Sequence, residues 1–571
     1  MIVMHDATPN AKARARALEA GAEIQSEPSA LINFSSAGTV YILGGEDAAH
    51  KAANHLAKHS QLNCIIVIIN DNREQPSIKL EAITSNGSET PINFIATLLG
   101  SLSAINGHLG QFDIRLEMPK ETIALQKLLV SHNPDIDIIL DLTNPGYISS
   151  EIKPPGYYAP GKSDTALQHA LHEIPDLVGE FEKPQYFHYD ASICAHGRSG
   201  IKACTRCIDI CPTDAISSIT DSISVDANLC QGAGSCATAC PTGAITYSYP
   251  QLSDNLQRIH ATLNAYQKAG GQKAVLLIHD ASSGRDSLTS YGEQFPDSVI
   301  PIEVEELGSV GMELWLASLT YDATRVILFA TPQTSASVLR EIDAQLSYTR
   351  ALLQGMGFSA DCIQLINSDD PIFVTALAPS SANLEIPVAE FDKSNGKRKV
   401  IRAAVDHLYK NAPKPRPLIS LPTSAPFGEV VLDNQRCTLC MACVWQCPAK
   451  ALVAGGNQPQ LKFVENDCVQ CGLCARTCPE DAIGPSPRYL FDEQQRKTAR
   501  ILYEEQPFLC ITCAKPFASQ RVIETMTAKL KQHAMFKGDA LQRIQMCEDC
   551  RVKDIYAQET ERQKNNAAEG L

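Results

Sequence analysis

Apolar and polar positions along this chain alternate in two blocks with the rhythm of strands and helices. From Thr39 the apolar run TVYIL reaches the turn Gly44-Gly45, a helix-like stretch continues to about His59, and the apolar run CIIVIIN starts at Cys64. That order predicts a βαβ unit. A further apolar strand, IDIILDL, begins at Ile136, and the segment NPGYISSEIKPPGYYAPG after it reads as an extended loop. The second block has strands AVLLIHD from Ala274, VIPIEV from Val299, RVILFAT from Arg325 and IQLIN from Ile363. Helix-like stretches lie between them, around Met312 to Leu319 and Ser335 to Met356, which predicts a second α/β unit. A proline-rich stretch, NAPKPRPLISLPTSAPFG, leads out of it as a linker. The glycine turn ILGGEDAAH lacks the G-x-G-x-x-G spacing, and Glu46 and Asp47 would repel phosphate. The first unit is therefore read as a βαβ fold without a dinucleotide.

Length and charge narrow the class. At 571 residues the chain is expected to hold roughly three to five domains. It is 44% apolar with a formal net charge of -15, a balance that argues against a nucleic-acid partner. The opening MIVMHDATPNAKARARALEAGAEI has no apolar h-region, and no run approaches a membrane-spanning length. The expectation is a protein without membrane insertion. Its many thiols, without a signal segment, point to a reducing cytoplasm rather than to disulfides.

The chemistry lies between and after the two blocks. Four segments end a cysteine run in Cys-Pro: CTRCIDICPTDAI (from Cys204), CQGAGSCATACPTGAI (from Cys230), CTLCMACVWQCPAKAL (from Cys437) and CVQCGLCARTCPEDAI (from Cys468). The spacing Cys-x2-Cys-x2-Cys-x3-Cys-Pro resembles the ligand pattern of bacterial two-cluster ferredoxins, in which three cysteines of a loop wrap one cluster and the fourth reaches the other. The resemblance implies electron transfer. In the second pair of segments it implies two complete sites, Cys437, Cys440, Cys443 with Cys478, and Cys468, Cys471, Cys474 with Cys447. Zinc is the competing reading, but a Cys-Pro tail three residues on is no zinc-ribbon feature. Trp445 and Met441, inside a cluster loop, stand either as shields against water or as ordinary packing.

The first pair departs from the pattern twice. Nine residues, AHGRSGIKA, separate Cys194 from Cys204 where two are usual. Asp190, Asp226 and Asp433 lie four residues before Cys194, Cys230 and Cys437, so Cys194 occupies a first-ligand register; Glu465, three before Cys468, is a looser match. One site is then Cys194, Cys204, Cys207 with Cys240. The insertion carries His196, Arg198 and Lys202 and is read as a docking surface, a device that tunes potential, or a plain surface loop. In CQGAGSC the middle ligand position is Ala233, which leaves Cys230, Cys236 and Cys211. Three thiolates suit a [3Fe–4S] cluster or a labile [4Fe–4S] cluster; an empty, degenerate site is the alternative.

Fifteen of the 21 cysteines fall in these modules. Cys510, Cys513, Cys547 and Cys550 form two CxxC knuckles around a helix-like stretch from about Ser519 to His533, the pattern of a structural zinc site or, less favoured, a rubredoxin-like iron site. Cys64 and Cys362 flank apolar runs and read as buried hydrophobes.

Two broader resemblances follow. VIPIEVEELGSVGMELWLASL, ATRVILFA and SYTRALLQGMGF resemble the delta subunit of methyl-viologen-reducing, heterodisulfide-reductase-linked hydrogenase; the loop ATPQTSAS lacks the cysteines usual there, which implies a scaffold. CAHGRSGIKACTRC, FLCITCAKPFA and LQRIQMCEDCR resemble bacterial 4Fe–4S proteins associated with formate dehydrogenase. The expected architecture is multidomain α/β plus α+β. An N-terminal α/β domain spans 1–185 and a first ferredoxin-like module 186–250. An α/β domain like the hydrogenase delta subunit follows at 251–395, both α/β domains being Rossmann- or flavodoxin-like, then a helix and linker at 396–426. A second module at 427–490 precedes a four-cysteine zinc-knuckle lobe at 491–571. The expected cofactors are three [4Fe–4S] clusters, one [3Fe–4S] or labile [4Fe–4S] cluster and one zinc. The expected function is one-electron relay to or from a partner oxidoreductase, with formate dehydrogenase implied by the resemblance. The alternatives are a flavin- or cluster-dependent reductase acting beside Ala233, or an accessory protein for metalloenzyme assembly.

Overall fold

The structure, a computed structural model, describes residues 8–70, 77–83, 93–99, 102–117, 122–125, 135–291, 295–370, 373, 377, 386–390, 396–456 and 458–568. Parts of the expected 1–185 and 251–395 domains lie outside the described residues. The fold is mixed α/β. Among the described residues no helix is long and apolar enough to cross a membrane.

The first block forms a six-stranded sheet in the order Tyr157–Tyr158, Ile138–Asp141, Thr39–Gly44, Asn63–Asn70, Asn93–Leu99, Ser77–Ile83. Its strands are parallel except the last, which runs antiparallel to Asn93–Leu99. Helices Glu46–Leu56 and Asp164–Glu173 cover one face through Ala49, Leu56 and Leu171. Ile105, Phe112 and Ile114, from the hairpin Leu102–His108 and Gln111–Glu117, cover the other. Burial on both faces is why TVYIL is apolar without alternation. Strand 136–142 of the sequence reading is shorter here, Ile138–Asp141.

The second block is a four-stranded parallel sheet in the order Val299–Val304, Val275–Asp280, Arg325–Ala330, Ile363–Asn367. Helices Met312–Thr320 and Ala336–Met356 match the predicted stretches, with Ser335 just outside the second. Trp315 is fully buried in this unit. Sequence reasoning missed the helix Pro9–Ala22, which lies far from this block in the chain yet packs on the helix Leu252–Lys268. Ala13 and Ala17 enter the second unit's core, and a Cβ on Gly21 would sit 2.5 Å from Thr262 Oγ1, so the helices meet at a glycine. Arg14 donates to the Pro296 and Val299 carbonyls at 3.2 and 3.4 Å.

The helix Lys397–Lys410 packs on Met312–Thr320 through Val400, Ala404 and Leu408. Its Asp406 accepts both Nη2 contacts of Arg496, at 3.0 and 2.9 Å, so it ties the second unit to the chain that follows the last cysteine loop.

Candidate iron–sulfur centres and the terminal thiolate quartet

The four Cys-Pro segments share one backbone. Each tail turns through a left-handed residue: Asp214 (φ 54°), Gly243 (φ 78°), Lys450 (φ 54°) and Asp481 (φ 46°). The apolar residue two positions on then pairs with the strand entering a neighbouring loop. Ile216 faces Val225, Ile245 faces Tyr189, Leu452 faces Phe463 and Ile483 faces Leu432. The pairing crosses the halves of each module, which turns the Cys-Pro tail of one loop toward the cysteines of the other. Leu439 and Met441, Gln470 and Gly472, and Gly232 and Gly234 repeat a second left-handed pattern around the middle ligand position. Ala233 therefore sits on an intact cluster-loop backbone.

Within each module the thiols lie close enough for their charges to act on one another. Burial above all raises Cys204, with the charges of Cys240 and Cys194 adding to it. Cys207 is raised by burial and then by Cys240, Cys204 and Cys194. Cys236 is driven well up by burial and then by Cys230, Cys211 and Cys207. Cys443 is pushed up to about 12 by burial and then by Cys440, Cys437 and Cys478. Cys447, Cys468, Cys471 and Cys474 line one small cavity. Converging thiols resist losing their protons together, and a cationic iron–sulfur core relieves that repulsion. The donor set also fits a cluster at its periphery. Ala451 and Ala482 N–H groups reach Cys447 and Cys478 Sγ at 3.3 Å, and Gln470 Nε2 reaches Cys468 Sγ at 3.2 Å. Hydrogen bonds to sulfur are a known control on cluster potential.

The insertion after Cys194 is an ordered hairpin, Gly197–Arg198 against Ile201–Lys202. His196 is buried within it, its Nδ1 at 2.8 Å from the Cys204 carbonyl and its Nε2 at 2.8 Å from Ser218 Oγ. Trp445 is 76% exposed, so it does not shield its cluster loop.

Ala233 is buried against the second α/β unit. A Cβ on Gly308 would lie 2.4 Å from the Ala233 carbonyl, and one on Gly234 would lie 2.3 Å from Ser309 Cα. Beside this contact is a cavity of about 460 Å³ lined by Ala233, Asp280, Ser283, Glu306, Thr334 and Ser335. It opens at the carboxyl ends of Val275–Asp280 and Arg325–Ala330, where the strand order reverses, the usual ligand crevice of such sheets. Glu306 is pushed up to about 7 by burial, then by Asp280 and Glu305. Sequence reasoning quoted the phrase VEELGSVGM only as a likeness and missed Glu306; a doubled acid between an apolar strand and a helix was the available signal.

The terminal knuckles form a tighter group. Sulfur atoms of Cys510, Cys513, Cys547 and Cys550 all lie within 4.8 Å of one another, with Cys513 and Cys547 at 3.6 Å. Tetrahedral coordination at about 2.3 Å implies sulfur separations of roughly 3.8 Å, so the quartet fits one ion. Burial resists ionisation of Cys510, but backbone N–H groups of Cys547, Cys513 and Thr512 outweigh it and draw the thiol down to about 6. His533 is exposed and lies against Phe536, outside the quartet. Cys64 and Cys362 are buried, and burial pushes both thiols up to about 11.

Residues 436–482 match the family described as the 4Fe–4S dicluster domain, and residues 223–246 match the family described as the 4Fe–4S binding domain. Two 4Fe–4S binding domains are present. The chain is similar to the ferredoxin-type protein NapF of Escherichia coli strain K12, 37% identical over 59 residues, which cover 10% of this chain and 36% of that relative. It is also similar to the pyruvate synthase subunit PorD of Thermotoga maritima, 36% identical over 61 residues, covering 11% of this chain and 61% of the relative. The chain thus spans about a third of the one and three-fifths of the other. These likenesses support an iron–sulfur, ferredoxin-like electron-transfer function.

Proposed function

We propose that this protein is a multi-cluster electron relay that passes single electrons to or from a partner oxidoreductase in the cytoplasm. The observation that carries this reading is the repeated cluster-loop backbone, present in the four Cys-Pro tails and retained around Ala233. Cys194, Cys204, Cys207 and Cys240 would hold one [4Fe–4S] cluster, Cys437, Cys440, Cys443 and Cys478 a second, and Cys447, Cys468, Cys471 and Cys474 a third. Cys211, Cys230 and Cys236 would hold a [3Fe–4S] or labile [4Fe–4S] cluster. Such clusters supply one-electron redox chemistry; the chain sets their potential through burial and hydrogen bonds to sulfur. The terminal quartet would hold structural zinc. Formate dehydrogenase is the partner brought in by the phrases around Cys194, Cys510 and Cys547. The likeness to a pyruvate synthase subunit supports a redox-enzyme partner in general.

Anaerobic purification with metal and sulfide analysis tests the assignment. The expected content is about 15 iron atoms and about one zinc per chain. About eight iron atoms would mean that one module is empty.

The cavity beside Ala233 favours a second reading, in which a small polar molecule reaches the three-thiolate site and the protein is a reductase. A flavin spectrum left after cluster removal would move the assignment there. Unchanged partner activity with a cluster-lacking variant would instead favour an assembly role.

A further inference from the structure

We propose that the inserted hairpin of the first module and the pair Lys397-Arg398 form a lock that holds the Cys204 loop against the Cys471 loop, so that the two modules present one continuous row of four thiolate sites. The inference rests on the relay reading and adds its arrangement and the residues that impose it.

Three contacts build the lock. Arg476, between the predicted ligands Cys474 and Cys478, donates to the Lys202 carbonyl at 2.9 Å. Lys202 is the last residue of the hairpin, which the buried His196 anchors to Cys204 and Ser218. On the other side, half-buried Arg398 donates to the Pro241 carbonyl at 3.1 Å, the Pro426 carbonyl at 3.0 Å and the Cys468 carbonyl at 2.8 Å. It therefore touches a cysteine loop of each module with one guanidinium. Lys397 donates to the carbonyls of Ala237 at 3.0 Å and Cys240 at 3.2 Å. Hydrogen bonds from a cation are about twice as strong as neutral ones, and a rigid fork such as Arg398 fixes orientation as well as distance.

The consequence is an order of sites. Helix Arg206–Asp209, which carries Cys207, packs on Ser235–Ala239, which carries Cys236, and so joins the Cys194 site to the Ala233 site. Leu473–Thr477, which carries Cys474, packs on the hairpin strand Ile201–Lys202 across the module boundary. Within the second module it packs on Ala442–Gln446, which carries Cys443. The junction between modules is thus packed, as the junctions inside them are. Electron tunnelling falls exponentially with distance, so modules joined through the chain alone would exchange electrons only on chance approach. Locked modules exchange at a fixed separation. The nine-residue insertion acquires a reason under this arrangement: it supplies the carbonyl that Arg476 grips.

The test compares wild type with the charge-conserving Arg476→Lys, with Arg476→Gln and with the pair Arg398→Ala with Arg476→Ala, all as full chains purified anaerobically. Three quantities are read: iron per chain, EPR line shape of the fully reduced protein, and amide hydrogen exchange across residues 195–205 and 468–476. The expected result is unchanged iron in every variant, at least tenfold faster exchange in both segments of the double variant, and loss of part of the magnetic broadening between sites. Arg476→Gln should show the same change to a lesser degree, and Arg476→Lys should stay close to wild type. Unchanged exchange and line shape in a fully iron-loaded double variant overturns the lock. A wild-type protein lacking iron in either module overturns the relay reading instead, and slow exchange in that protein lost in the double variant still supports the lock.

Discussion

The backbone N–H of Asp190 donates to the carbonyl of Ala244 at 2.7 Å. The same bond joins Asp226 to Ala215 at 2.8 Å, Asp433 to Ala482 at 2.7 Å and Val464 to Ala451 at 2.8 Å. In each case the donor lies four residues before a cysteine and the acceptor is the alanine of a Cys-Pro tail. The fourth donor is Val464 rather than Glu465, which instead forms ion pairs with Arg488 and Arg500 at 2.7 and 2.6 Å. The bond gives Cys194 the same structural place as Cys230, Cys437 and Cys468, despite the insertion after it.

Replacing Cys194 with serine is therefore expected to cost one cluster, roughly four of the iron atoms, while Cys64→Ala costs none. Iron analysis on the anaerobically purified variants decides between them. Equal iron content in Cys194→Ser and wild type would remove Cys194 from the ligand set.

The Ala233 site is expected to differ from its neighbours. An oxidised three-thiolate [3Fe–4S] centre should give an EPR signal near g of about 2.01, and Ala233→Cys should abolish it by completing the ligand set. Absence of the signal in mildly oxidised wild type, with iron unchanged by Cys236→Ala, would mean an empty site.

Cys510→Ser or Cys547→Ser is expected to release one metal ion and open the terminal lobe to protease, because binding energy at such a site is folding energy. The iron–sulfur spectrum should largely survive. Release of iron instead of zinc would identify a rubredoxin-like centre.

Glu306 carries a pH prediction. Its carboxyl titrates near about 7 in the fold, above its ordinary 4.5, because burial and then Asp280 and Glu305 oppose its charge. Between those two values the native state holds more protons than the unfolded chain, so stability falls as pH rises from about 4.5 to about 7. The ceiling on the loss is roughly 3 kcal/mol at 1.36 kcal/mol per pH unit. Denaturant unfolding of Glu306→Gln should show a shallower pH slope than wild type; parallel slopes would rule the group out.

Arg398 places a cation beside the carbonyls of Pro241 and Cys468. Arg398→Gln removes that charge, so the neighbouring sites should become harder to reduce, by on the order of 60 mV, a tenfold change for a one-electron couple. Redox titration followed by EPR measures it. A rise in potential, or no change, would contradict the charge argument.

The cysteine spacing alone determined the cofactor class, because ligand geometry in a cluster loop is local: Cys437, Cys440 and Cys443, like Cys468, Cys471 and Cys474, lie within one turn-rich segment. The apolar runs at Thr39, Ala274 and Arg325 likewise announced buried strands, since side-chain period and length are local properties. The register of Asp190, Asp226 and Asp433 was also legible in the sequence, although the alanines that they bond were not. Other features depended on residues far apart in the chain. Pro9–Ala22 packs on a helix about 250 residues away. Glu306 and Ala233 line one cavity only because the second sheet docks on the first module. The exposure of Trp445 follows from which loop face the rest of the chain leaves uncovered. Arg398 reaches the carbonyls of Pro241 and Cys468, and Arg476 that of Lys202, none of them near it in the chain. A carbonyl carries no side-chain signature, so a bond to it from a distant arginine leaves no pattern in the sequence; only the folded chain brings the two together.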